Sequence, residues 1–159
     1  MEPLDRAIAD TEELRRALGD AVAASRAQRD LIRRLDVDNL ATSAARRAAF
    51  NEHLADLQGQ LARDLRAAGD ALGLDRVTLD GMKARAPQAA QRLGRLFADV
   101  RALAATLREL DVCNHLLAAR AQASVRGAVE ALAPPRATAY DRRGSATLAR
   151  AFSTSSRVA

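Results

Sequence analysis

Aromatic residues and cysteine are scarce in this chain of 159 residues. Aromatics make up 3% of it, with no Trp, one Tyr and three Phe. Sheets are filled by branched and aromatic side chains, whereas the Ala, Leu and Arg that dominate here favour helices. We therefore predict an all-α fold. The only cysteine, Cys113, excludes an intramolecular disulfide and fits a reducing compartment.

Long hydrophobic runs are absent as well. No stretch of 18 consecutive apolar residues occurs, and such a stretch is the mark of a spanning helix. The segment from Met1 to Asp5 is acidic and does not resemble the basic start of a signal peptide. We expect a cytoplasmic protein with no stable membrane insertion.

The net charge of +5 suggests a nucleic-acid partner, but its distribution argues against one. Five arginines lie beyond Ala133 against one acidic residue, Asp141, so the rest of the chain is nearly neutral. Lys83 is the only lysine among 25 basic residues, which indicates a genome-composition bias rather than a phosphate-binding surface. We expect no nucleic-acid partner. A basic helical protein that associates with nucleic acid remains an alternative, as does a structural coiled-coil oligomer.

Patterns typical of an active site are also missing. His53 and His115 lie on separate predicted helices without a ligand set at metal spacing, and Asp111 with His115 has the spacing of an ordinary surface pair. The stretch Gly69–Gly73 lacks the further glycine and the preceding strand of a nucleotide-binding loop. We predict no enzyme activity, no cofactor and no metal.

Apolar residues at steps of three and four predict an antiparallel bundle of three long helices, over about residues 3–35, 39–72 and 87–132. A short helical connector capped by Thr78 joins the last two. Pro134 ends the bundle, so we predict a helical domain over residues 1–133 and a basic, disordered, flexible tail over residues 134–159.

The last helix is longer than its predicted neighbours. Residues 39–72 would form a helix of about 51 Å and residues 87–132 one of about 69 Å, so roughly the last dozen residues extend beyond the bundle. This end still carries an apolar stripe, and soluble monomers seldom expose one without use. Fraying, folding back over the bundle and homodimer formation are the alternatives to partner binding. The candidate partner-binding residues of the stripe are Leu117, Ala121, Val125, Ala128, Val129 and Leu132.

Two further residues are candidates for partner binding. Asn114 interrupts the apolar seam of the last helix, where a polar side chain can fix register or oligomeric state, or simply be solvated at the edge of the bundle. Tyr140, the only tyrosine, is either a second and weaker contact or an idle residue of the tail.

Three segments resemble the FlgN family of flagellar export chaperones: residues 107–117 (LRELDVCNHLL), 72–74 (LGL) and 140–144 (YDRRG). The first resembles a family pattern of leucine, asparagine, two residues, asparagine, glycine and two aliphatic residues. Asp111 stands at the first asparagine and His115 at the glycine, so Asn114, Leu116 and Leu117 carry the match.

The resemblance implies a chaperone that binds hook-filament junction proteins, also called hook-associated proteins. It would keep their C-terminal helical segments unassembled in the cytoplasm and deliver them to the flagellar type III export gate. The last long helix and the tail are the contact regions that the resemblance implies. The oligomeric state stays undetermined at this level.

Overall fold

The computed structural model describes residues 2–132, 139–140 and 146–147, with side chains for residues 2–132. Four helices occupy this part of the chain, and the predicted all-α class is confirmed. They are α1 (Glu2–Arg34), α2 (Val37–Ala71), α3 (Leu79–Arg85) and α4 (Pro87–Leu132). Two strands of two residues, β1 (Ala139–Tyr140) and β2 (Ala146–Thr147), pair in antiparallel fashion, with Tyr140 opposite Ala146.

The predicted helix boundaries need small corrections. The predicted short helical connector is the helix α3, which brings the helices of the described residues to four, so the fold is not a bundle of three helices alone. The hydroxyl of Thr78 caps α3 by accepting from the Gly81 amide at 3.1 Å. The predicted domain boundary at residues 133 and 134 and the predicted disordered tail concern residues that are not described, apart from β1 and β2.

A two-residue corner joins α1 to α2. Leu35 adopts a positive φ of 54°, which turns the chain after α1. Asp36 then caps α2, because its carboxylate accepts from the Asn39 amide at 3.2 Å and from the Asn39 side chain at 2.7 Å. These bonds lower the pKa of Asp36. Helix α2 therefore begins at Val37, two residues earlier than predicted, since the first carboxylate of the capping run is the one used.

Glycines shape the other end of α2. Gly73 has a φ of 67°, and the Leu74 amide donates to the Gly69 carbonyl at 3.0 Å, which is a typical helix end. A Cβ added at Gly69 would lie 2.5 Å from Cγ2 of Val77. Gly69 thus allows the connector to pass close to the helix that it has just left.

The core consists of two clusters that involve α1, α2 and α4, with α3 adding to the first. The first contains Leu4, Ile8, Ala68, Met82, Ala90, Leu93 and Leu96. The second contains Ala7, Leu14, Leu18, Ala21, Val22, Leu61 and Leu107. Early residues of α1 therefore pack with early residues of α4 and with late residues of α2. It follows that α1 and α4 run in the same direction and α2 runs in the opposite one.

A carboxyl group is buried between α1 and α2. Asp10 is 6% exposed; its Oδ1 accepts from Gln60 at 3.1 Å, and its Oδ2 has no partner among the described residues. Burial raises the pKa of Asp10, and the neighbouring Asp64 raises it further. The charged form of Asp10 is thus disfavoured in the folded protein.

Two compact units divide the chain, Met1–Gln122 and a second that starts at Ala123, so α4 contributes to both. No helix of the described residues is long and apolar enough to cross a membrane.

Candidate partner-binding surface

Asn114 lies buried at the interface of α4 and α1. It is 4% exposed, and its amide nitrogen donates to the Ser25 carbonyl at 2.7 Å and to Ser25 Oγ at 3.2 Å. The same nitrogen lies 3.4 Å from Gln28 Oε1, and the Asn114 oxygen accepts from Arg29 at 3.4 Å. Of the two interpretations left open by the sequence, the structure places Asn114 in the interior and not in solvent.

Asp111 extends this set of contacts to α2. Its carboxylate accepts from Ser25 Oγ at 3.2 Å and forms a salt bridge with Arg47 of α2. One acidic side chain therefore links all three long helices. We call the whole group the polar layer: Ser25, Gln28, Arg29, Arg47, Asp111 and Asn114.

Sequence reasoning missed the role of Asp111, which was assigned to a surface pair with His115. In the structure His115 is exposed, whereas Asp111 is half-buried and faces α1 and α2. Its position one turn before Asn114 was the available signal, since residues three apart lie on neighbouring parts of one helix face.

A crevice between α1 and α2 borders the polar layer. The crevice has a volume of about 380 Å³, and Ser25, Gln28 and Arg47 of the polar layer line it together with Leu31 and Phe50. No residue of α2 before Leu57 is buried. The corner itself lies near Ala118, because Ile32 and Ala118 line one surface groove.

The stripe predicted from the sequence occupies the last part of α4, and we call it the terminal strip: Leu117, Ala121, Val125, Ala128, Val129 and Leu132. Leu117 and Ala121 are partly buried. Every residue from Gln122 to Leu132 is exposed, and the largest apolar side chains among them, Val125, Val129 and Leu132, are 46%, 63% and 85% exposed.

The remaining candidate, Tyr140, lies in β1. Its side chain is outside the described residues, so the expected second contact stays a prediction. Among the described residues, no group of three or more His, Cys, Asp or Glu side chains is arranged to hold a metal ion.

The model of the family described as FlgN protein matches residues 3–147, which is most of the chain. The chain belongs to the FlgN family. Comparison with curated proteins finds no match, and neither does comparison with solved structures.

FlgN proteins are flagellar export chaperones, so membership confirms the family predicted from the sequence and places the chain in flagellum biogenesis. Members of the family bind flagellar hook-associated proteins in general.

Proposed function

We propose that this FlgN protein binds the C-terminal helical segment of a hook-filament junction protein along the terminal strip of α4. An apolar helix of the client lies against Val125, Val129 and Leu132, and the face it later uses for assembly is thereby covered. Release of the client at the flagellar type III export gate, a second proposed partner, completes the cycle.

One observation carries this proposal: the same apolar periodicity is buried in the first half of α4 and exposed at its end. Leu93 is fully buried and Leu107 is 6% exposed, whereas Leu132 is 85% exposed. Small side chains at Ala121 and Ala128 allow a second helix to approach closely, as in helix-in-groove recognition.

The energy available at the strip suits a reversible chaperone. Complete burial of one Val or Leu side chain is worth about 1.5 to 3 kcal/mol, and ordering the client offsets part of this gain. The three large aliphatic side chains of the strip therefore support a complex of moderate affinity that can dissociate.

The two polar candidates have different places in the proposal. Asn114 is buried in the polar layer, so it holds α4 against α1 and acts on the client only through the position of the helix. Tyr140 would add a weaker contact from the tail.

A pull-down by co-expression tests the proposal. The client is the C-terminal segment of a hook-associated protein from the same genome, co-expressed with the full-length chain or with a chain that ends at Arg120. We expect the full-length chain to recover the client and the shortened chain to lose it. Equal recovery by both would refute the terminal strip as the binding surface.

Point variants make the test specific. Val125→Asp puts a charge on the strip and should abolish recovery, since burying an unpaired carboxylate is costly. Val112→Asp is the matched control, because Val112 is an exposed valine of the same helix, 56% against 46% for Val125. A chain that ends at Ala133 keeps the strip and should retain most of the binding, with any loss measuring the contribution of the whole tail, and Tyr140→Ala in the full-length chain measures that of Tyr140.

A further inference from the structure

A second apolar surface lies on the other side of α4. Val112 and Leu116 are 56% and 58% exposed, although both are large aliphatic residues. Each is two residues from the buried Asn114, which places both about 160° away from it around the helix. With Ala105 and Ala119, also exposed, they form a stripe at helical spacing that we call the outer strip: Ala105, Val112, Leu116 and Ala119.

The outer strip is separate from the terminal strip. Its residues all precede Gln122, within the unit that holds the core, and they point away from α1 and α2. The proposed client surface therefore leaves this part of α4 uncovered.

One flank of the outer strip carries charges that fit a second copy of the chain, while Arg101 and Arg108 lie along its other flank. Glu109 and Arg120 lie on the same flank of the strip, both are exposed, and neither forms a salt bridge with another described residue. They stand five residues before and six residues after position 114, with opposite signs. A surface with this pattern is complementary to its own copy when that copy is turned around by a two-fold axis near residue 114.

We propose that two copies of the chain associate through their outer strips, with the two α4 helices antiparallel. Val112 of one copy packs against Leu116 of the other, and the small side chains of Ala105 and Ala119 let the helices approach closely. In an antiparallel pair, residues on the same flank face each other, so Glu109 meets Arg120 of the second copy and the symmetry forms this ion pair twice.

Charge exchange tests the arrangement directly. The dissociation constant of the dimer is measured by sedimentation on the full-length protein and on Glu109→Arg, Arg120→Glu and the double variant. Each single variant replaces two attractions by two repulsions and should weaken the dimer by about tenfold. The double variant restores opposite charges and should recover the affinity of the parent.

The native cysteine supplies an independent readout. Cys113 is exposed and lies beside the proposed two-fold axis, so the two copies of Cys113 would stand about 10 Å apart. A short bis-maleimide should therefore link the protein into a dimer, and Val112→Asp should abolish this product while Val125→Asp leaves it unchanged.

Three results would overturn the proposal: a protein that stays monomeric at every accessible concentration, a double charge variant no tighter than the singles, or cross-linking that fails in Val125→Asp and persists in Val112→Asp. The last result would place self-association on the terminal strip. Because the client pull-down and the cross-linking use these two valine variants with opposite expected outcomes, failure of one proposal does not imply failure of the other.

Discussion

The two ends of α4 carry the same spacing of apolar residues but meet different surroundings. In the first half, Leu93 and Leu96 lie in a core shared with α1 and α2. At the other end, Val129 and Leu132 are exposed to solvent. The periodicity of a helix thus specifies which face is apolar, but it does not by itself specify whether that face is buried. The boundary between the two regimes is the polar layer.

The largest difference between the two ends should appear in stability. Leu93→Ala removes a fully buried side chain and should lower the free energy of unfolding by about 2 to 5 kcal/mol, through lost burial and the cavity left behind. Leu132→Ala, at the exposed end, should change it by less than about 0.5 kcal/mol. Urea denaturation of both variants measures the contrast, and equal effects would show that the end of α4 is covered in solution.

The polar layer should show an intermediate effect. Asn114→Ala removes the side-chain contacts of Asn114 with Ser25, Gln28 and Arg29 and should lower the free energy of unfolding by about 1 to 3 kcal/mol. Cys113→Ala, the exposed neighbour, is the control and should be nearly neutral. If thermal unfolding gave the same midpoint for both variants, the layer would not be holding α1 and α4 together.

A smaller effect on stability is expected at Asp10, the carboxyl group buried between α1 and α2. Because the pKa of Asp10 is raised in the folded protein, its contribution to stability is present at low pH and is lost as the pH rises from the ordinary value of 3.8 through the raised one. Asp10→Asn keeps the acceptor for Gln60 and cannot ionise, so it should be more stable than the parent at pH 7 by roughly 1 kcal/mol.

The pH dependence separates this cause from a general effect of the substitution. The advantage of Asp10→Asn should shrink as both proteins are titrated toward pH 4, when Asp10 of the parent takes up its proton. Thermal melts of the pair at a series of pH values provide the measurement. An advantage that does not change with pH would show that ionisation of Asp10 is not responsible.

The smallest expected change in stability concerns Leu35, at the corner between α1 and α2. Leu35 has a positive φ, at which a side chain costs about 1 to 2 kcal/mol of conformational strain. Glycine removes this strain, but part of the gain is offset because the unfolded chain has more conformational entropy with glycine. Leu35→Gly should therefore raise the free energy of unfolding by up to about 1 kcal/mol, whereas Leu35→Val, with a branched side chain, should lower it. Chemical denaturation of the two variants checks the sign.

Sequence patterns located the helices well because their termini carry local signals. Pro87 begins α4 as predicted, and Gly73 lies just past the end of α2. The start of α2 was displaced by two residues because four polar residues in a row offered equivalent caps, and Asp36, the first of them, acts as the cap.

The candidate site was only partly accessible from the sequence. Periodicity predicted the apolar stripe of the terminal strip, and its role in binding a partner stays a prediction. The salt bridge of Asp111 with Arg47 joins residues 64 positions apart, and spacing along one helix contains no information about such a partner. The exposed apolar face at Val112 and Leu116 was not predicted. Both residues lie opposite to the buried seam of α4, and the periodicity of that seam gives no information about the opposite face.

The corner at Leu35 and Asp36 also makes the length of uncovered helix adjustable. Removing one turn from the end of α1 and one from the start of α2 would move the corner by about 5.4 Å along α4. Under the proposed function, paired deletions or insertions at this hairpin would therefore change the length of client helix that α4 can accommodate.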